Sequence, residues 1–349
     1  MSIAAGEDRT GGLLPETGRM AGLGWFNPAH IVLGFILLVL PAITSDFILF
    51  SVFAWALCLG MVALSLMFLA GYGGMVSLAQ LTIAGVAGYM VAILGTNGMN
   101  LGLEWPWWVS IPAAIAIAVA FATLTGALAV RTEGIYTIMI TLAIAAAFFY
   151  FTRQNYDIFN GWNGFNLVLP PTLFGVDWRQ PVPFYYMALF LAVISYAAVL
   201  YVSRSTFGLA LQGIRDNARR MEAIGYNVVA HRIAAHAFAG LIAGTAGILL
   251  VWFNGAISPA SVGVGPAIDI LVIAIIGGLR HPIGPFIGAL IYAVLSTFAM
   301  DLIEIFIDRE RFKLVIGVIF LLIVLFSPDG ILGIWSRLRE KFTANRGWD

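Results

Sequence analysis

The sequence predicts an all-α integral membrane protein of about ten transmembrane helices in two inverted five-helix repeats, with a polar loop at 204–232 on the inner side. Three observations predict it. The 349-residue chain is 61% hydrophobic and only 10% charged, a composition that excludes a soluble globular domain. Hydrophobic runs recur along its whole length at sizes suited to a hydrocarbon layer about 30 Å thick. Glycine and proline interrupt that pattern at the same ordinal place in each half. The net charge of zero gives no lead to nucleic acid or to an acidic partner. The four His residues include no HExxH spacing and the single Cys58 sits within a hydrophobic run, so neither a metal cluster nor disulfides are expected to organise the fold.

Residues 1–29 are polar and Gly-rich, and hydrophobicity begins only at Ile31, late for a secretory signal; the segment reads as a retained tail. The runs follow at 30–45, 47–70, 78–95, 106–130, 134–151, 184–203, 233–254, 267–280, 283–301 and 312–327, giving a transmembrane domain over 30–335 and a tail at 336–349. Ten spans put both termini on one side. With the N-terminus inside, inner segments carry 13 of the 18 basic residues, and Arg153, Arg179, Arg309, Arg311 and Lys313 are the outer remainder, as the positive-inside rule requires.

The break after the second run is Gly71–Gly74, and the break after the seventh is Asn254–Pro266. An odd number of spans per half makes the two halves inverted in the membrane, and paired interruptions of this kind point to a translocation path. The alternative is a pair of ordinary loops at helix ends. Gly71, Gly74, Gly85, Gly88, Gly277, Gly278, Gly284 and Gly288 let helix backbones approach closely. The candidate path residues are Gly73, Ser77, Gln80, Tyr136, Thr137, Thr141, Ser258 and Gly263, with Thr82 and Tyr89 in the same polar, uncharged set; each can equally hydrogen-bond a neighbouring helix. Asp269 follows Pro266 and reads as a first-turn cap stabilised by the helix dipole. No chain of buried Asp, Glu, His or Lys resembles an ion relay, which argues against an ion-coupled carrier. No convergent catalytic set is found. The outer segment 152–183 holds Asn155, Tyr156, Asn160, Trp162, Asn163 and Trp178 among four prolines, and offers either interfacial anchors or a surface for an external protein.

The loop reads RSTFGLALQGIRDNARRMEAIGYNVVAHR. Phe207, Leu211, Ile214, Ala218 and Met221 recur at spacings of four and three, the mark of one helix face. Arg215, Asp216, Asn217, Arg219, Arg220 and Glu222 occupy the other positions, and Gly225 is placed to end the helix. A continuous helix sets Asp216 beneath Arg219 and Arg220, and Arg215 two turns from Glu222 on one side. The segment reads either as a docking helix for a soluble partner's groove or as a solvated loop that sets topology.

The phrase FGLALQGIRDNARRMEAIGYNV resembles the coupling loop of branched-chain amino-acid ABC importer permeases, which typically carry F-G-R-A-L-x-A-I-R-D-N-E-x-x-A-x-x-x-G. Phe207, Gly208, Ala210, Leu211, Ile214, Arg215, Asp216, Asn217 and Gly225 match; Leu209 takes the usual Arg position and Ala218 the usual Glu. Ser77–Tyr89, Thr141–Ala143, Ala256–Pro259, Ile268–Leu279, Gly284–Ala289 and Leu325–Gly333 extend the resemblance in order. It implies a non-enzymatic permease subunit of an ABC importer in a bacterial inner membrane, with both termini cytoplasmic. The implied coupling residues are Phe207, Leu211, Ile214, Arg215, Asp216, Asn217, Met221, Glu222 and Gly225. The implied partners are a second homologous permease, two cytoplasmic ABC ATPase subunits, an extracytoplasmic substrate-binding protein and membrane lipid. The chain has no GxxxxGK[ST] loop, so ATP and Mg²⁺ are expected in the ATPase subunits and no cofactor in this one. The implied substrates are branched-chain or related small amino acids. Gly161–Gly164 keeps only part of the family's T-G-G-x-D-G, which leaves urea, short amides or another small polar solute as alternatives.

Overall fold

The computed structural model describes residues 28–303, apart from 99–101, 133, 173–174 and 176, together with Gly317. The expected tenth run at 312–327, the C-terminal tail and nearly all of the N-terminal one lie outside the described residues. The first helix, α1 (Pro28–Ile43), belongs to a unit of its own within residues 1–44. The second unit begins at Ser45 and carries α2 (Asp46–Tyr72), α3 (Gln80–Leu94), α4 (Trp107–Ala129), α5 (Ile135–Gln154), α6 (Pro181–Arg204), α7 (Thr206–Ala223), α8 (Val228–Asn254), α9 (Val264–Gly277) and α10 (Gly284–Ile303).

Five of these, α2, α4, α5, α6 and α8, are long and apolar enough to cross a membrane. Uniform runs of Leu, Ile, Val, Phe and Ala make them, and their ends fall where the runs end. α3 and α9 differ. At a rise of 1.5 Å per residue they measure roughly 22 and 21 Å, well short of the hydrocarbon layer. Each follows one of the glycine-rich breaks. The first break opens where α2 leaves helical geometry through a π-helical turn, Phe68–Tyr72, and Gly74 takes φ +67, a conformation that costs glycine little. The second opens at Gly255, with φ +66, and passes through a 3₁₀ turn at Pro259–Val262.

In lipid there is no hydrophobic drive between helices, so close backbone approach carries the association. α2 and α8 pack on one another; α8 also lies on α3 and α4, while α2 lies on α9 and α10. Gly240 and Gly244 of α8 face the Cβ atoms of Ala122 and Ala118, Gly247 rests on the backbone of Ala84, and Gly277 rests on Gly284. α6 closes against α2. α4 and α5 keep Leu124, Leu128, Ile135 and Met139 exposed, an apolar surface that suits lipid or a partner helix. The segment 152–183 is tied down by a two-residue antiparallel ladder pairing Phe165 with Ile257 and Asn166 with Ala256, and by Arg153, which stacks over Trp162 at 4.8 Å.

Candidate functional site

The loop helix α7 begins at Ser205, whose hydroxyl accepts from the Gly208 amide at 3.3 Å, and ends in a Schellman motif. Tyr226 N–H donates to the Met221 carbonyl and Gly225 N–H to that of Glu222, with Gly225 at φ +95. Gly225 therefore ends the helix as the sequence leads one to expect. The helix is not continuous. Asn217 is extended (φ −159, ψ 94), and its side chain accepts from the Arg220 amide at 2.9 Å, capping a fresh helical segment. The kink removes the register on which the pairs of Asp216 with Arg219 and Arg220, and the shared side of Arg215 and Glu222, depended.

The apolar face of α7 is turned into the protein. Leu211 and Ile214 are fully buried, and Leu211 with Phe207 joins a core of Leu64, Met67 and Phe68 from α2, Val199 from α6 and Ala239 from α8. Phe207 also stacks on His231 at 5.6 Å, which pins the start of α7 to the start of α8. The other side leaves Arg219, Arg220 and Glu222 exposed, with Leu209, Ile224, Tyr226 and Val229 exposed around them.

Arg215 links this loop to the first break. Its Nη1 donates to the Gly71 carbonyl, and its Nε and Nη2 each lie 2.9 Å from Asp216 Oδ1. The carbonyl belongs to the unsatisfied C-terminal end of α2, where a cation is favoured. The side chain lies so close to Gly74 that a Cβ there would stand 2.7 Å from Arg215 Cγ.

The remainder of the break is buried at Ser77, Leu78 and Ala79, as non-helical backbone in a membrane protein must be if it does not line a wet cavity. Gln80 receives the Ser65 hydroxyl at 3.0 Å and donates towards Ser77 at 3.5 Å, and Thr141 of α5 accepts the Leu78 amide at 3.1 Å. Thr137 bonds the Thr132 carbonyl one turn away at 2.9 Å. Ser77, Gln80 and Thr141 are therefore brought together, while Tyr136 points away and is 65% exposed. Helix α5 also reaches the second break: Phe149 lies 3.6 Å from where a Gly263 Cβ would be. Thr141 and Phe149 are eight residues apart, so the deep ends of the two breaks are separated by roughly 12 Å along α5.

At the second break Pro259, Val262 and Gly263 are buried, and Val262 packs on Gly85 of α3. Between α2, α3, α8, α9 and α10 lies a cavity of about 460 Å³, lined among others by Trp55, Leu81, Asn254, Ser258, Asp269 and Tyr292. Asp269 is not a first-turn cap. α9 starts at Val264, which puts Asp269 in the second turn, where the Tyr292 hydroxyl bonds its carboxyl. The sequence reading missed this because it took Pro266 as the helix start; Gly263, which takes the N-cap position, was the available signal. It missed the inward bond of Arg215 because a contact across 144 residues has no local signature.

The family described as the branched-chain amino acid transport system / permease component matches residues 48–324. The chain is 24% identical over 294 residues to the high-affinity branched-chain amino acid transport system permease protein LivM of Salmonella typhimurium, covering 78% of this chain and 65% of that protein. It is 24% identical over 310 residues to LivM of Escherichia coli, covering 82% and 68%. It is 28% identical over 167 residues to the permease protein BraD of Pseudomonas aeruginosa, covering 46% and 52%. The chain thus spans about two thirds of the length of the two LivM relatives. No solved structure matches it.

Proposed function

The chain belongs to the branched-chain amino acid transport permease family, and from that premise we propose that it is one membrane subunit of an ATP-driven importer that moves branched-chain or related small amino acids inward. The observation that carries the proposal is the Arg215 bond to Gly71, which joins a polar-faced loop helix to a break in the membrane domain. ATP and Mg²⁺ belong to two cytoplasmic ATPase subunits that seat on the exposed side of α7. Closure of those subunits pushes α7, and Arg215 with the Leu211 core passes the motion to the end of α2.

The ten-span, inverted five-plus-five arrangement is part of the same proposal. The packing pattern supports it: exchanging α2 with α8, α3 with α9 and α4 with α10 carries the pairs α8–α4, α8–α3 and α3–α4 onto α2–α10, α2–α9 and α9–α10. The two breaks then lie on opposite sides of the membrane centre, the first opening inward and the second outward. Ser77, Gln80, Thr141, Ser258 and Gly263 line or hold the route between them, and Gly73 sits at its inner mouth. The ladder at Phe165–Asn166 presents the outer segment, with Tyr156, Trp162 and Leu167 exposed, to an extracytoplasmic binding protein. A second, homologous permease completes the pore, and both termini are cytoplasmic in a bacterial inner membrane.

Two experiments test this. Cys58, the single native cysteine, is buried, so an introduced cysteine reports alone. One at Ala218 is expected to label only from the cytoplasm and one at Asn166 only from outside; labelling of both from the same side overturns the topology. The binding protein that partners this permease is expected to take leucine, isoleucine or valine in direct titration. If it takes only urea or short amides, the substrate assignment fails.

A further inference from the structure

We propose that the end of the bundle where α4 and α6 begin and α8 ends holds a phospholipid, with one acyl chain laid along α8 and the phosphodiester met by Arg179. The inference needs only that the chain spans a membrane, and it is independent of the substrate. α4 and α6 both pack on α8 and scarcely on each other, which leaves a furrow between them with α8 as its floor. At the head of the furrow lies a cavity of about 330 Å³. It is walled by Trp107 and Ile111 of α4, Tyr186 and Phe190 of α6, Trp252 of α8, and Trp178 of the segment before α6. Trp107 opens α4 and Trp252 lies in the last turn of α8, so the cavity sits where spanning helices leave the hydrocarbon. Trp and Tyr concentrate at that level, where acyl chains join their head groups.

The furrow runs on from the cavity for the depth of one leaflet. Trp252, Thr245, Leu241 and Ala234 fall on one face of α8 at spacings of seven, four and seven, and Leu241 and Ala234 are exposed. Tyr186, Phe190 and Ile194 follow α6 at spacings of four, all exposed. From Trp252 to Leu241 is eleven residues, roughly 16 Å along the helix, and half of a hydrocarbon layer about 30 Å thick is about 15 Å. The cavity is too narrow for a partner's helix: one turn with its side chains, about 10 Å across and 5.4 Å long, fills roughly 420 Å³. A cation stands at the mouth. Arg179 is exposed, and its Nη2 lies 3.0 Å from where a Cβ of Gly255 would be, three residues past Trp252. The C-terminal end of α8 favours a cation there without neutralising it. Asp177 spends Oδ1 on the Arg179 backbone amide at 3.0 Å, and the guanidinium pairs with no carboxylate among the described residues. A planar guanidinium beside an aromatic, chain-wide cleft fits a phosphodiester with an acyl chain below it.

The test is photo-crosslinking of the full-length chain in nanodiscs of phosphatidylglycerol, doped with the same lipid carrying a diazirine halfway along one acyl chain. Adducts are mapped by peptide mass spectrometry. In wild type they are expected on α6 between Tyr186 and Ile194 and on α8 between Leu241 and Trp252, severalfold more often than at Ile135 and Met139, two exposed residues of α5. Arg179→Ala should lower the furrow adducts at least threefold and leave those on α5 unchanged, while Arg179→Lys should keep half or more. Ile111→Trp, which fills the cavity, should lower them by a similar factor. Should Ile111→Trp not elute as folded protein, Arg179→Ala decides alone, since its side chain is exposed. Furrow adducts no more frequent than those on α5, or unchanged in Arg179→Ala, overturn the site. Adducts that disappear when the partner permease is present assign the furrow to a protein contact and overturn it as well.

Discussion

Replacing Arg215 by alanine is expected to uncouple the importer: stimulation of ATP hydrolysis by loaded binding protein falls about tenfold, and uptake falls with it, while membrane insertion stays normal. A hydrogen bond from a charged donor contributes about 1.5–3 kcal/mol, equivalent to a factor of roughly 10 to 150. Arg215 is 40% exposed and its pair with Asp216 is on the surface, so solvent screening sets the expectation at the lower end. Arg215→Lys should recover only part, because an ammonium is a single compact charge where the guanidinium fork reaches both Gly71 and Asp216. Glu222→Ala should have a smaller effect. Glu222 lies beyond the Asn217 kink on an exposed rim, where losing one charge changes little. Charge reversal at Arg346 in the C-terminal tail is the control. Unchanged stimulation in Arg215→Ala would show that the signal bypasses this residue.

The largest structural effect is expected at Gly247. Any Cβ there overlaps the carbonyl and Cα of Ala84, and both sides of the contact are helix backbone, which cannot swing aside as a side chain can. Gly247→Leu must push α8 away from α3. Overpacking in cores costs about 1–3 kcal/mol even where side chains give way, so a clash of two backbones should exceed that range. Folded protein recovered from detergent is expected to drop severalfold, with a lowered melting temperature. Gly263→Ala is the comparison. Its added Cβ meets Ala260 O and Phe149 at 3.6 Å, ordinary contact distances, and its backbone is extended. A normal yield of Gly247→Leu would contradict the close packing of α3 and α8.

Much of this architecture was legible in the sequence. α2, α4, α5, α6 and α8 follow directly from uniform apolar runs, because a helix in lipid must satisfy its own backbone wherever it runs. The breaks at Gly71–Gly74 and Asn254–Pro266 were visible as glycine and proline, but not where helix resumes after them; α3 is shorter than the run 78–95, and α9 begins three residues before the run 267–280. The period of α7 identified its apolar side correctly and could not say what covers it. Docking on a partner and burial in the protein's own bundle give the same periodicity, and Leu211 settles on Leu64 and Met67. The Asn217 kink was written in the sequence as an N-cap residue, yet inside a polar helix face Asn reads equally as a surface residue. Of the candidate path residues, Ser77, Gln80 and Thr141 converge because one break draws them in. Tyr136 does not, since its helix turns that side outward.

The central claim is that an ATPase drives amino-acid movement through this membrane domain by way of its loop helix. It is tested most directly by uptake of labelled leucine into proteoliposomes holding this chain with its partner permease, ATPase subunits and binding protein. With ion gradients collapsed, the account predicts uptake that requires internal ATP and loaded binding protein and is lost in Arg215→Ala. Uptake that proceeds without ATPase subunits and follows an imposed ion gradient would contradict it.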